Sequence, residues 1–196
     1  MNIAQPIKKT TDLERLKEYY RTVHPNARNS LLIIMGLNTA LRISDILMLK
    51  WEDVYDFGRK EYRSHINVVE QKTGKRSQIY INESIVSALE DYDIFLRRRG
   101  GEIYPSLFLF CHSNKNVPIT RVQAFRLIRN AAEHCDISGV ISCHSLRKTF
   151  GYHAWKQGAA PALLVNIYNH STYQVTKRYL GIEQDDRDQI FKEIKL

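Results

Sequence analysis

The sequence predicts a mainly α-helical domain carrying one small antiparallel β-sheet, an α+β fold. Three observations point that way. Apolar residues recur at helical spacing through most of the chain. Between about Ser64 and Ile81 the period changes: Ile66, Val68 and Val69 precede Lys72-Thr73-Gly74-Lys75, and Ile79 and Ile81 follow it. Two β-rich runs around a glycine-containing loop read as a hairpin. No repeat, low-complexity block or Pro/Gly-rich linker divides the 196 residues, so they are read as one core.

The elements follow in order. Thr11 with Glu14 three positions later resembles a capping box, opening a helix that stops before Pro25. A second, mostly apolar helix runs from Asn29 to about Asn38, and Ile43 to Lys50 carries Ile43, Ile46, Leu47 and Leu49 at helical spacing. After the hairpin, Asn82 or Ser84 caps a helix ending at Arg97-Arg98-Arg99-Gly100-Gly101, with cations at its negative end and glycine beyond. Leu107 to Phe110 reads as a short buried strand. Helices are then predicted over Thr120–Glu133, Ser145–Gln157, Pro161–Tyr168, Thr172–Leu180 and Asp186–Ile194. The expected division is a tail over 1–10, a domain over 11–181 and a helical tail over 182–196.

Composition narrows the partners. A formal charge of +8 and a pI near 9.4 favour a polyanion, since each phosphate contacted releases condensed counterions. Met1 to Thr11 is polar and has no signal-peptide core, and the apolar run Leu31 to Leu37 is too short to span a bilayer. Cys111, Cys135 and Cys143 are odd in number and lack C-x-x-C spacing, so they read as reduced, mostly buried thiols of a cytosolic protein. Cys111-His112 and His134-Cys135 are adjacent pairs, but their spacing does not make a zinc site.

Two arginines, two histidines and a late tyrosine carry the chemistry. Attack on a phosphodiester builds charge on the non-bridging oxygens, which guanidinium groups neutralise through bidentate hydrogen bonds. Arg42 and Arg147 are the candidate pair, although either one alone reads equally as a surface or ion-paired residue, Arg42 with Asp45 for example. His144 precedes Arg147 by three residues, so on a helix both share a face. Tyr179 is the candidate nucleophile, a phenol that must lose its proton as it attacks. Tyr168 and Tyr173 flank His170 and are its rivals. Lys72 at the hairpin tip can reach a DNA groove and protonate a departing 5′ oxygen, with Lys75 and Arg76 close by.

Together these residues resemble the tyrosine recombinase (phage integrase) family from about Thr10 to Gly181. Thr39-Ala40-Leu41-Arg42-Ile43-Ser44-Asp45 is similar to the family's first-arginine box and Lys72-Thr73-Gly74-Lys75 to its hairpin-lysine motif. His144-Ser145-Leu146-Arg147 resembles the His-x-x-Arg box, and the run from Asn169-His170 to Arg178-Tyr179-Leu180 resembles the last box. The resemblance implies a tyrosine-recombinase-like catalytic domain that exchanges DNA strands without metal or nucleotide cofactor. It implies that Arg42, Arg147 and His170 hold the scissile phosphate, and that Asp45 supports the first box. His144 would assist proton transfer, Lys72 would act as general acid, and Tyr179 would form a 3′-phosphotyrosine. Lys75, Arg76, Lys148, Lys177 and Arg178, beside these boxes, are DNA-binding candidates. Double-stranded DNA is the implied partner, with four protomers acting on two sites.

Two departures stand out. The family's usual glycine before the last histidine is Asn169, and only about ten residues precede the first helix, which leaves no room for the usual core-binding domain. The expectation is a minimal recombinase or a catalytic fragment. Ile190, Phe191 and Ile194 follow an acidic run and suit docking, in cis or, as the resemblance implies, on a neighbouring protomer. The alternative functions are a non-catalytic DNA-binding regulator on the same fold and a strand-relaxing topoisomerase. A metal-dependent nuclease lacks the carboxylate spacing it needs.

Overall fold

The computed structural model describes residues 4–112 and 115–194. Along the chain, α1 (Thr10–Glu18) runs into a π-helical turn (Tyr19–Val23), followed by α2 (Ala27–Asn38), α3 (Ile43–Leu47) and α4 (Trp51–Val54). Strands β1 (Tyr55–Asp56), β2 (Glu61–Tyr62), β3 (His65–Val69) and β4 (Arg76–Tyr80) lead to α5 (Glu83–Arg98). Next come β5 (Cys111–His112), β6 (Lys115–Pro118), α6 (Arg121–His134) and α7 (Cys143–Lys156). Three helices finish the chain: α8 (Pro161–Tyr168), α9 (Tyr173–Leu180) and α10 (Gln184–Glu193).

Helix α2 is the axis of the domain. It is buried continuously from Asn29 to Leu37, as a helix apolar on all sides must be. Asn26 caps it by accepting the Asn29 N–H at 3.1 Å. One flank of α2 packs on α5, the other on α7. Gly36 permits the second approach, because a Cβ there would stand 2.5 Å from Leu146 Cδ1. Around α2 lie two large apolar clusters. One joins Leu31, Met35, Trp51, Ile66, Ile85 and Phe110; the other joins Leu16, Ile33, Ile128 and Leu146. A third, smaller cluster of Tyr152, Leu164, Tyr168, Leu180 and Ile182 holds the C-terminal helices on α7.

The predicted hairpin is present, with Val69 opposite Arg76 and His65 opposite Tyr80. Among the described residues it is one of three separate two-stranded antiparallel sheets rather than the single sheet expected. Leu107 to Phe110 is not a strand. Leu109 N–H donates to Leu49 O and Trp51 N–H to Leu107 O, both at 2.9 Å, around an isolated Lys50–Phe108 bridge. This pairing draws Leu49 and Lys50 out of helical geometry, so the helix predicted to reach Lys50 stops at Leu47.

Local chemistry explains the other boundaries. Asn82, Thr120 and Thr172 cap α5, α6 and α9 with their side chains. No capping box forms at Thr11, which falls inside α1, and Glu14 pairs with Lys17 at 2.7 Å. Residues 4–9 are not free either: Ile7 is 2% exposed and its N–H donates to Thr149 Oγ1 at 2.8 Å. No helix among the described residues is long and apolar enough to cross a membrane.

Candidate active site

Arg42 is presented by a tight backbone turn. Ala40 takes a positive φ of 54°, a strained conformation for a residue with a Cβ, and Arg42 then caps α3 in an extended conformation. Its guanidinium forms an ion pair with Glu70, the first residue of the loop that joins β3 to β4. Glu70 is 3% exposed and also accepts the Ser77 hydroxyl at 2.9 Å. Asp45 donates its backbone N–H to Arg42 O at 2.9 Å, but among the described residues its carboxylate makes no ion pair with the guanidinium. Its Oδ1 accepts the Gln71 N–H at 3.0 Å, which pins the hairpin to α3. Sequence reasoning missed Glu70, although an acidic residue directly after the apolar run Val68-Val69 was the available signal.

The first two turns of α7 supply His144 and Arg147. His144 stands at the solvent-facing end, while Arg147 is 5% exposed with its guanidinium 5.0 Å over the Tyr168 ring. Among the described residues no carboxylate lies within ion-pair distance of Arg147, and its buried Nε has no hydrogen-bond partner. A buried cation without a counter-charge is costly, so the seat suits an anion. Burial, then the charges of Arg147, Lys148, Arg42 and Lys72, push the His144 pKa down. The field of Lys72 therefore reaches His144 from the hairpin loop.

His170 and Tyr179 meet on the same side. Helix α8 ends in a left-handed Asn169, φ 54° and ψ 46°, which turns the chain so that His170 faces back toward α9. Asparagine is the residue after glycine that tolerates this conformation best, so the departure at Asn169 preserves the turn. His170 Nδ1 contacts Thr176 Oγ1 at 3.0 Å, and its ring lies 5.1 Å from the Tyr179 ring at 74°. Burial, then Arg147 and Arg42, lower the His170 pKa. Burial raises that of Tyr179, while Arg147 and Arg42 pull it back.

Both arginines thus act electrostatically on Tyr179 and on both imidazoles. Of the rival phenols, Tyr168 is 1% exposed and its hydroxyl donates to Arg147 O at 2.7 Å, making it part of the floor. Tyr173 opens α9, and among the described residues it makes no hydrogen bond or ring contact with this cluster.

The cationic candidates divide. Lys72, Arg76 and Arg178 are exposed, and Lys177 is half-buried. Lys75 crosses to α8, donating to Asn166 O at 2.5 Å. Lys148 is corrected as a DNA contact. It is 7% exposed and its ammonium donates to Ala4 O at 2.7 Å. It falls on the inward face of α7, beside Arg147.

Comparison with known proteins agrees with this geometry. The model of the Phage integrase family matches residues 9–185. The "Probable integrase/recombinase YoeC" of Bacillus subtilis (strain 168) is 36% identical over 192 residues, covering 98% of this chain and 97% of that protein. The tyrosine recombinase XerD of Mycobacterium leprae (strain TN) is 26% identical, and the match spans only 47% of its length. Among solved structures, XerA recombinase superposes with a TM-score of 0.74 at 21% identity, over all of this chain and 65% of that one. With the family model spanning nearly the whole chain and a relative above one-third identity, the chain belongs to the phage integrase family, the site-specific tyrosine recombinases.

Proposed function

We propose that this chain cleaves and rejoins double-stranded DNA, with Tyr179 as nucleophile and Arg42 and Arg147 as the phosphate clamp. One observation carries the reading: a buried, unpaired Arg147 beside a phenol and an imidazole. The Tyr179 oxygen attacks phosphorus, and its proton passes to one of the imidazoles, His144 in the first instance. The P–O5′ bond breaks, and Lys72 at the hairpin tip protonates the leaving oxygen. The products are a 3′-phosphotyrosine and a free 5′-hydroxyl. The ester keeps the energy of the broken bond, so attack by a second 5′-hydroxyl reseals the strand without ATP.

His170 and the two arginines would stabilise charge on the non-bridging oxygens; a single positioned donor of this kind contributes roughly 10²–10³ in rate. The overall charge of +8 favours a DNA duplex, which the exposed cations Lys72, Arg76 and Arg178 would meet. Such a protein would act at the nucleoid. A solved lambda integrase related in fold is a dimer bound to a COC′ core site, which supports DNA as partner and more than one copy per site. Four copies on two duplexes is the assembly proposed for this chain.

The test is a nicked suicide duplex built from DNA flanking the coding sequence, followed for a covalent adduct. Wild type should form one at the 3′ phosphate and Tyr179→Phe none. Steep salt-sensitive binding without any adduct would instead identify a regulator on the same fold. An adduct that persists in Tyr179→Phe would move the nucleophile elsewhere.

A further inference from the structure

The ammonium of Lys148 contacts two segments that are far apart in sequence. It donates to Ala4 O at 2.7 Å and lies 5.0 Å over the ring of Tyr179. A lysine 7% exposed has lost its hydration, and a single carbonyl with an aromatic face is the environment that replaces it. Its charge helps lower the His144 pKa, but the strand-exchange chemistry above gives this lysine no contact with the phosphate.

The N-terminal segment that meets Lys148 is tied down residue by residue. Gln5 N–H donates to Val140 O at 3.1 Å, just before α7. Pro6 covers Gly181, where a Cβ would stand 3.3 Å from its Cδ. Ile7 N–H donates to Thr149 Oγ1 at 2.8 Å, and Ile7 O meets His153 Nε2 at 2.9 Å. Lys8 pairs with Asp186 at 2.9 Å, and Asp186 also accepts the Tyr152 hydroxyl at 2.6 Å. Residues 4–8 therefore touch α7, the residue after α9 and the first turn of α10. These contacts bracket the helix that bears Tyr179.

We propose that residues 4–8 form a strap fixing the Tyr179 helix against α7, and that Lys148 is the positioning residue linking strap to phenol. The ring can move only if Lys148 gives up the aromatic face or the strap lifts. The same strap holds the segment after α9 through Pro6 and Lys8. Displacement of the strap by whatever pulls on the N-terminal side would thus reach the nucleophile within one side chain. This inference rests on Tyr179 being the nucleophile, but its structural half does not.

The test uses the full chain in three variants. Lys148→Met removes the ammonium, while Lys8→Gln and Thr149→Val loosen the strap without touching Tyr179. Amide hydrogen exchange should quicken across residues 173–181 in all three, with α2 unchanged. For Lys148→Met the change should be roughly tenfold, the factor expected from a lost desolvated cation–π contact. On the suicide duplex, adduct formation at saturating DNA should fall in step while DNA affinity stays level. Lys148→Met combined with Lys8→Gln should do little more than either alone.

Lys8 is partly exposed, so Lys8→Gln folds even if the buried variants do not. Unchanged exchange over 173–181 in Lys148→Met and Lys8→Gln would overturn the proposal. Altered exchange in a protein whose wild type makes no adduct would uphold the strap and refute Tyr179 as nucleophile.

Discussion

The Arg42 guanidinium is held by Glu70, 28 residues away across the β3–β4 hairpin, and not by Asp45 one helical turn beyond it. The two carboxylates divide the work: Asp45 fixes the hairpin backbone at Gln71, and Glu70 aims the guanidinium. A hairpin carrying Lys72 is thereby locked in register with the arginine it serves. Both side chains of the pair are largely buried, so neutralising one leaves the other uncompensated. Glu70→Ala should cost about 3 kcal/mol in urea denaturation, the lower end for breaking a buried pair. Glu70→Gln, which keeps the shape, should slow adduct formation roughly tenfold while DNA affinity holds or rises, because a negative charge leaves the cleft. Full cleavage by Glu70→Gln would reduce Glu70 to a structural role.

The two histidines give a pH dependence of definite sign. His144 and His170 both lie below their ordinary value of 6.5, through burial first and the arginine charges next. Lowered folded values mean that the unfolded chain binds protons first on acidification. Their contribution to stability is complete above pH 6.5 and is lost as pH falls through the folded values. The melting temperature of the free protein should therefore drop below pH 6.5, and less so in a His144→Gln, His170→Gln double variant. A bound phosphate reverses the local field and raises both values, so DNA binding just below pH 6.5 should take up protons. Calorimetry in buffers of different ionisation enthalpy reads that uptake directly. Proton release on binding would contradict the placement of these imidazoles beside the phosphate.

Helix α10 is fastened to its own chain by Asp186, yet its apolar side chains face outward. Ile190 is 48% exposed, Phe191 79% and Ile194 59%. Fully burying one such side chain is worth about 1.5–3 kcal/mol. We expect a neighbouring copy to cover them when the protein assembles on DNA. Phe191→Asp should then leave the melting temperature and single-copy DNA binding unchanged, while weakening higher assemblies at least about tenfold. Sedimentation of the protein–DNA complex separates the two. Wild-type assembly by Phe191→Asp would leave the exposed trio without this role.

Much of this was legible in the sequence where a local rule governs. Asn82, Thr120 and Thr172 cap the helices they were expected to cap or open, and the change to strand periodicity marks the hairpin within a residue or two. Features that depend on distant partners were not. Lys148 looks like a DNA contact in sequence because it is charged and follows Arg147. Only the packing of residues 4–8 onto α7 shows that it points inward. The sequence marks Glu70 as an acidic residue after an apolar run but not what it binds, since its partner is 28 residues away. The helix expected to reach Lys50 failed because Leu49 and Lys50 pair with residues near Leu109, a tertiary competitor that helical spacing cannot register. The departure at Asn169 had a local answer in backbone conformation, the left-handed cap.

Gly151 tests how closely the nucleophile helix must approach α7. A Cβ at this position would stand 2.5 Å from both Leu180 Cδ2 and the Tyr168 hydroxyl oxygen, in the small cluster that seats α8 and α9. Overpacking of that kind costs about 1–3 kcal/mol, and the better helix propensity of alanine returns about 1 kcal/mol. Gly151→Ala should lower stability only modestly. Its larger effect should fall on chemistry, because the displaced groups are the floor under Arg147 and the residue next to Tyr179. Adduct formation should drop well beyond what the urea midpoint implies, with DNA affinity retained. Gly36→Ala supplies the contrast: it forces Leu146 in the central core, so stability should suffer more than cleavage rate does. Equal losses of stability and cleavage in both variants would mean that the close approach at Gly151 serves packing alone.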